Sequence, residues 1–117
     1  MKKYKFIKCP YECGKGWYPM LDELFSQIQN IVDATEKGEF EFEVVQVKEK
    51  FGSLRVYTSF YTEEIEDLIE MYSEKSAHIC EVCGDVGKLQ IEGGWYKTVC
   101  DKHHKEWIEN GSARSLK

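Results

Sequence analysis

Long hydrophobic runs are missing from this 117-residue sequence, and so is the apolar stretch of a signal peptide at its N-terminus. The first absence argues against a membrane span and the second against secretion, so we expect a cytoplasmic protein. The sequence also has no internal repeat and no low-complexity segment. Because the cytoplasm is reducing, its five cysteines are better explained as metal ligands or free thiols than as disulfides.

An excess of positive charge is missing as well. The 16 lysines and arginines are outnumbered by 21 aspartates and glutamates, and the net charge is −5. Affinity for a nucleic-acid backbone comes from Lys and Arg displacing counterions, so this balance argues against nucleic acid as the partner. Basic residues do cluster at the N-terminus and over residues 48–55. The simpler interpretation is that these clusters are solvated faces.

The chemistry that is present centres on two short pairs of ligand residues. Cys80 and Cys83 form one pair and Cys100 and His103 the other, with the spacing C-x2-C-x16-C-x2-H. Gly84 can adopt the positive φ that turns the chain after the first pair, and the second pair lies where a helix should begin. Three thiolates and an imidazole are ligands for tetrahedral zinc. We predict one structural zinc ion, because the protein supplies all four ligands.

Two alternatives stay open around these ligands. His104 could replace His103, although His103 is preferred because it lies three residues after the preceding cysteine. Cys9 and Cys13 could join His78 and His104 in a second metal site. Free buried thiols or a redox-active pair would explain the same two cysteines.

Apolar spacing predicts two helices before the metal-binding segment. One begins near Pro19, which suits the first helical position, and ends before Gly38. The other begins after Thr62, a good N-cap, and runs to about Ala77. The apolar stripe of the first helix contains Met20, Leu21, Leu24, Phe25, Ile28, Ile31 and Val32.

Alternating polar and apolar residues predict strands over 40–47 and 54–61. The alternation changes parity at Val45, which indicates a bulge or burial on both faces. Residues 49–53 would connect the strands, with Gly52 in a left-handed conformation.

After the first cysteine pair, residues 88–91 and 95–99 are predicted to be strands joined by a glycine turn. A helix that Asp101 can cap should follow, with Trp107 and Ile108 on its inner side. The order of knuckle, hairpin and helix is that of a treble-clef zinc finger.

These elements predict an α+β fold. A helix, a β-hairpin sheet and a second helix would form a core over residues 1–79. The treble-clef-like zinc finger over residues 80–111 would pack on that core. Residues 112–117 would form a loose tail.

A ligand or partner surface is a further hypothesis. The aromatic residues could stack on a nucleotide and the cations could hold its phosphate. The alternative is that the aromatic pair packs the helix on the sheet and that the cations are solvated. The residues concerned are Trp17, Tyr18, Lys50, Arg55 and Tyr57.

Catalytic motifs are absent from the sequence. It has no Gly-x-Ser-x-Gly, no P-loop and no Ser/His/Asp set that can be placed. A His-Asn-His nuclease needs a histidine cluster besides any structural zinc, whereas the one adjacent pair here is His103 and His104. We therefore predict a protein that is not an enzyme.

Four motifs together resemble a family of short, largely uncharacterised proteins encoded by bacteriophages and prophages. They are GWYP at 16–19, QVKEKFGSLR at 46–55, CEVCG at 80–84 and WYKTVCDKH at 95–103. The resemblance covers most of the chain and implies an origin in the bacterial cytosol, without implying an activity.

We therefore expect a zinc-binding accessory protein of a phage or prophage that binds a host component, for instance in defence or gene expression. The main alternative is a protein that binds or sequesters a nucleotide. A nucleic-acid-binding finger or nuclease is the weaker alternative.

Overall fold

The computed structural model describes residues 4–35 and 41–109 and shows the predicted α+β class. In these residues a three-stranded sheet and a two-stranded sheet accompany three α-helices. The elements, in chain order, are β1 (Tyr11–Glu12), a 3-10 turn (Lys15–Trp17), α1 (Tyr18–Ala34), β2 (Val44–Lys50), β3 (Ser53–Thr58), α2 (Glu63–Ser76), β4 (Lys88–Glu92), β5 (Trp95–Val99) and α3 (Asp101–Glu109).

Helix α1 begins at Tyr18, one residue before the predicted start. Pro19 lies in the first turn, where its missing N–H costs no hydrogen bond. The predicted end near Gly38 lies outside the described residues. The buried face of the helix consists of Met20, Leu21, Leu24, Phe25 and Ile28.

The three-stranded sheet has the order β1–β2–β3, in which β1 is parallel and β3 antiparallel to β2. Its register shifts between Val44 and Gln46, which confirms the predicted bulge. The predicted five-residue connection is wrong, because β2 continues to Lys50 and the turn contains two residues. Phe51 (φ 54°) and Gly52 (φ 85°) both have the positive φ of a tight hairpin turn.

Helix α2 begins as predicted, with the Ile65 N–H donating to the Thr62 hydroxyl at 3.2 Å. It ends at Ser76, beside the edge of β3. The Leu54 N–H donates to Ser76 Oγ at 3.0 Å, and Ser73 Oγ donates to the Leu54 carbonyl at 2.9 Å. These two serines satisfy edge-strand groups that would otherwise lack partners.

One aromatic-rich core lies between α1, α2 and the three-stranded sheet. Trp17, Leu24 and Val47 are among its fully buried members. A second, smaller cluster contains Cys80, Val99 and Trp107.

The C-terminal elements follow the predicted order. β4 and β5 pair antiparallel around Gly93 and Gly94, both with positive φ. Helix α3 begins at Asp101, which is its first residue and not the predicted cap. The helix buries Trp107, but Ile108 is 52% exposed, so its predicted inward orientation is wrong. The predicted tail, residues 112–117, lies outside the described part of the chain. No helix in residues 4–35 and 41–109 combines the length and apolar character needed to cross a membrane.

Candidate metal centre

The structure brings the side chains of Cys80, Cys83, Cys100 and His103 together, with their ligand atoms all within 4.8 Å of one another. His103 Nδ1 lies 3.6 Å from Cys80 Sγ and 3.2 Å from Cys100 Sγ. The Sγ atoms of Cys83 and Cys100 are 3.8 Å apart. The first two ligands come from the loop after α2, and the other two from the start of α3.

These separations fit a tetrahedral metal ion. Metal–sulfur bonds of about 2.3 Å and metal–nitrogen bonds of about 2.0 Å place tetrahedral ligand atoms about 3.5 to 3.8 Å apart. The observed separations of 3.6 and 3.8 Å agree with this geometry, and the 3.2 Å between Cys100 Sγ and His103 Nδ1 is about 0.3 Å shorter. Three thiols and one imidazole are also the ligand types that soft or borderline divalent ions prefer. The four side chains can therefore hold one metal ion.

The local backbone explains the convergence of the first two ligands. The Cys80 N–H donates to the Asp85 carbonyl at 2.7 Å, and the Gly84 N–H donates to the Cys80 carbonyl at 2.9 Å. Gly84 has φ 87°, a conformation that L side chains rarely adopt. The turn that the sequence predicted at this glycine is present and closes the chain around the ligand pair.

His103 and His104 have different roles. His103 directs Nδ1 towards the thiols, and its Nε2 is 4.0 Å from the Glu106 carboxylate. His104 Nε2 instead contacts the Glu92 carboxylate at 2.7 Å, and its ring meets the edge of Trp107. The geometry therefore assigns the fourth ligand position to His103.

The metal-binding loop is held against the segment that precedes α1. The Gly16 N–H donates to the Glu81 carbonyl at 2.8 Å, and the Trp17 indole N–H donates to the Ile79 carbonyl at 2.8 Å. A Cβ at Gly16 would lie 2.3 Å from the Cys80 carbonyl oxygen and 2.7 Å from the Cys83 nitrogen. Only glycine fits there without a shift of backbone. The GWYP motif is thus part of the support of the metal centre.

Glu81 is a supporting residue that the sequence interpretation missed. Its Oε2 accepts from the Gly14 N–H at 2.8 Å, and its Oε1 lies 3.8 Å from Lys97 Nζ. Burial raises the pKa of this carboxyl group, while the Lys97 charge and the Gly14 hydrogen bond oppose that shift. Its position between two cysteine ligands gave no signal of a role, because the residues it contacts are distant in sequence.

A second contact joins the β2–β3 turn to the C-terminal hairpin. The Thr98 hydroxyl donates to the Gly52 carbonyl at 2.6 Å, and a Cβ at Gly52 would lie 2.6 Å from Leu89 Cδ1. The rings of Phe51 and Tyr96 meet edge to face, 5.7 Å apart. The QVKEKFGSLR motif therefore serves, at its Phe-Gly turn, as a docking point for the metal-binding half of the chain.

Cys9 and Cys13 are not assembled into a second centre with His78 and His104. Within the described residues, no other group of three or more His, Cys, Asp and Glu side chains has suitable geometry. Burial raises the pKa of Cys9, and it raises the pKa of Cys13 to about 12 with a contribution from nearby carboxylates. A thiol with such a pKa is a poor nucleophile at neutral pH, which argues against a redox-active pair.

The predicted ligand surface is not assembled either. Trp17 is fully buried and cannot stack on a ligand, and the ring of Tyr18 packs edge to face on Tyr11. Arg55 and Tyr57 line an open groove of about 330 Å³ that Glu66 and Glu70 also line. The sequence could not distinguish these placements, because aromatic residues before a helix occur both in cores and on surfaces.

Lys50 is exposed, and its ammonium group lies 5.7 Å from the centre of the Phe51 ring. This aromatic contact is with its own chain neighbour and not with the predicted stacking pair. Of the five side chains, only those of Arg55 and Tyr57 line the groove described above.

Comparison of the chain with protein-family models, with curated proteins and with solved structures returns no significant match. The class of the protein therefore follows from its fold and site. It is an α+β protein with a cluster of three cysteines and one histidine that is suited to a metal ion.

Proposed function

We propose that the ion is zinc and that its role is structural, in a finger of the treble-clef type. The observation that carries this proposal is the closed ligand set of Cys80, Cys83, Cys100 and His103, whose atoms lie within 4.8 Å of one another. Four protein ligands leave no coordination position for a substrate or an activated water. The thiolates and the imidazole then act as fixed ligands and have no role as nucleophile or base.

The position of the site supports a structural role. The ion would join the end of α2 to the beginning of α3, and the segment between them, together with α3, has a hydrophobic cluster of only three buried residues and one partly buried neighbour. A segment with so small a core needs an additional source of stability. Zinc binding would supply it and would keep the loop of Cys80 and Cys83 against Gly16.

We further propose that the chain is a non-enzymatic accessory protein of a phage or prophage that binds a host protein in the bacterial cytosol. The charge of α2 supports a protein partner over nucleic acid, since its exposed residues would repel phosphates. Its exposed acidic residues are Glu63, Glu64, Glu66, Asp67, Glu70 and Glu74. Burial of Trp17 makes the nucleotide-binding alternative weaker than the protein-binding one.

Native mass spectrometry of protein purified without added metal tests the zinc proposal. We expect one zinc per chain in the wild type and in His104→Ala, and none in Cys83→Ser. Retention of one zinc by Cys83→Ser would refute the ligand assignment. Two zinc ions in the wild type would instead support a further site at Cys9 and Cys13, and a bound mass in the nucleotide range would favour small-molecule capture.

Affinity capture from host lysate tests the partner proposal, with zinc-loaded protein as bait. We expect a defined protein to be captured by the wild type and lost with the double variant Glu66→Lys, Glu70→Lys. The matched control is Lys50→Ala, a residue outside the groove that Glu66 and Glu70 line, which leaves the acidic face intact and should capture the same protein. Recovery of nucleic acid, with a steep dependence on salt, would refute the proposed partner class.

A further inference from the structure

The outer edge of β4 is open in the described part of the chain. The sheet of β4 and β5 has only two strands, so each strand has one edge without a β-strand partner. On the β5 side, the Glu81 N–H donates a hydrogen bond to the Thr98 carbonyl at 2.9 Å. On the β4 side, no described residue outside β5 forms a backbone hydrogen bond with the strand. This edge can therefore accept another strand.

The register identifies which backbone groups face that open edge. The Thr98 carbonyl points away from β4, because it accepts from Glu81. The N–H and C=O groups of successive residues alternate between the two edges of a strand, so the backbone groups of Tyr96 also point away from β4. The backbone groups of Leu89 and Ile91, the β4 partners of Thr98 and Tyr96, point away from β5 for the same reason. The N–H and C=O groups of Leu89 and Ile91 are thus available for pairing.

The side chains at this edge are apolar and exposed. Leu89 is 45% and Ile91 53% exposed, and they share a face of the sheet with Tyr96, which is 39% exposed. Phe51, 64% exposed, extends the same apolar surface beside Tyr96. Edge strands that stay solitary usually carry charges at such positions, and this one does not.

We propose that β4 pairs antiparallel with β4 of a second copy of this chain, about a two-fold axis at Gln90. The order Lys88, Leu89, Gln90, Ile91, Glu92 is complementary to itself in this arrangement. Leu89 lies opposite Ile91 of the second copy, so their outward backbone groups meet. Lys88 lies opposite Glu92 of the second copy, and each of these pairs occurs twice.

The consequence is a continuous four-stranded sheet made from two hairpins that are marginal when isolated. Opposite charges and apolar pairs directly across strands both stabilise such a sheet. Glu92 is already oriented by the 2.7 Å contact with His104, which holds its carboxylate at the end of β4. Pairing of two five-residue strands buries much less surface than the roughly 1,600 Å² that a stable complex buries. We therefore expect a dissociation constant on the order of 100 µM.

A charge exchange tests the register. In Lys88→Glu both interchain pairs become acidic, and in Glu92→Lys both become basic, so each variant alone should associate roughly tenfold more weakly. An equimolar mixture restores two opposite-charge pairs and should associate as the wild type does. The matched control is Lys5→Glu, an exposed lysine of the N-terminal segment, which should change nothing. Sedimentation equilibrium of zinc-loaded protein measures all four samples, and failure of the mixture to recover would refute this register.

A second variant tests the apolar edge. Ile91→Lys should be monomeric at all concentrations, whereas Met71→Lys, which replaces an equally exposed apolar residue on α2, should associate normally. In the wild type, amide exchange of Leu89 and Ile91 should slow as protein concentration rises. A wild-type chain that stays monomeric at about 500 µM would overturn the proposal. Exchange that is slow at every concentration would also overturn it, because another part of the same chain would then cover the edge.

Discussion

Gly16→Ala should weaken the contact that holds the metal-binding loop. A Cβ at this position would lie 2.3 Å from the Cys80 carbonyl oxygen, 2.6 Å from the Gly84 nitrogen and 2.7 Å from the Cys83 nitrogen. Ordinary contacts begin near 3.4 Å, so the loop and the segment must separate by up to about 1 Å. All three obstructing atoms are backbone, and no side-chain rotation can relieve the overlap.

The cost follows from that displacement. Overpacking of a close contact costs about 1–3 kcal/mol. The Gly16 N–H also loses its 2.8 Å bond to the Glu81 carbonyl, at about 1 kcal/mol. A total of about 3 kcal/mol corresponds to a fall in melting temperature of about 12 °C for a chain of this length. Because Cys80 and Cys83 lie on the displaced loop, zinc affinity should fall as well.

Calorimetry at a fixed free zinc concentration measures this shift, since bound metal itself raises the melting temperature. Gly93→Ala is the matched control, because Gly93 has a positive φ of 58° but no neighbour within 4 Å. It should cost only the backbone strain, about 1–2 kcal/mol, without changing zinc affinity. A Gly16→Ala variant that melts within about 2 °C of the wild type and binds zinc normally would refute the argument from close packing.

Three further substitutions test other contacts. Cys83→Ser should weaken zinc binding by at least about 100-fold in a competition with a chelator and expose the amides of β4 and β5 to exchange, whereas normal binding would contradict the ligand assignment. His104→Ala should keep its zinc and lose both the Glu92 contact and the ring contact with Trp107, about 1–2 kcal/mol by thermal unfolding; release of the metal would move the fourth ligand to His104. Ser76→Ala leaves the Leu54 N–H without its acceptor and should cost about 1–3 kcal/mol in chemical unfolding; a neutral result would mean that water replaces the hydroxyl.

The local features of the chain could be read from the sequence because their causes are local. Thr62 caps α2 through a residue three positions away, and Gly84 turns the chain within the ligand pair itself. The spacing of Cys100 and His103 favoured His103 over His104 as the fourth ligand, and the contact of His103 with the thiols then settled the choice. Such relations span a few residues and depend little on the remainder of the molecule.

The errors arose where distant residues decide the outcome. Phe51 adopts a positive φ in a two-residue turn that docks on a hairpin nearly fifty positions later, and no propensity of phenylalanine predicts that conformation. Ile108 follows the buried Trp107 but faces outward, because α3 buries only a narrow stripe. The alternation of polar and apolar residues could not locate the ends of β2 and β3 either, because contacts with distant residues also decide where these strands end.

The α+β class and the three cysteine ligands could be predicted from the sequence alone, with His103 only preferred over His104, since periodicity and ligand spacing are properties of short segments. What the GWYP and QVKEKFGSLR motifs do depends on how distant elements of the chain pack together. Trp17 is buried, and its indole N–H donates a hydrogen bond to the Ile79 carbonyl. Gly16 and Gly52 lie at close contacts between the first part of the chain and the metal-binding segment that follows α2. Contacts between residues more than forty positions apart depend on how the elements pack, and a sequence pattern records the residues without recording the distance between them.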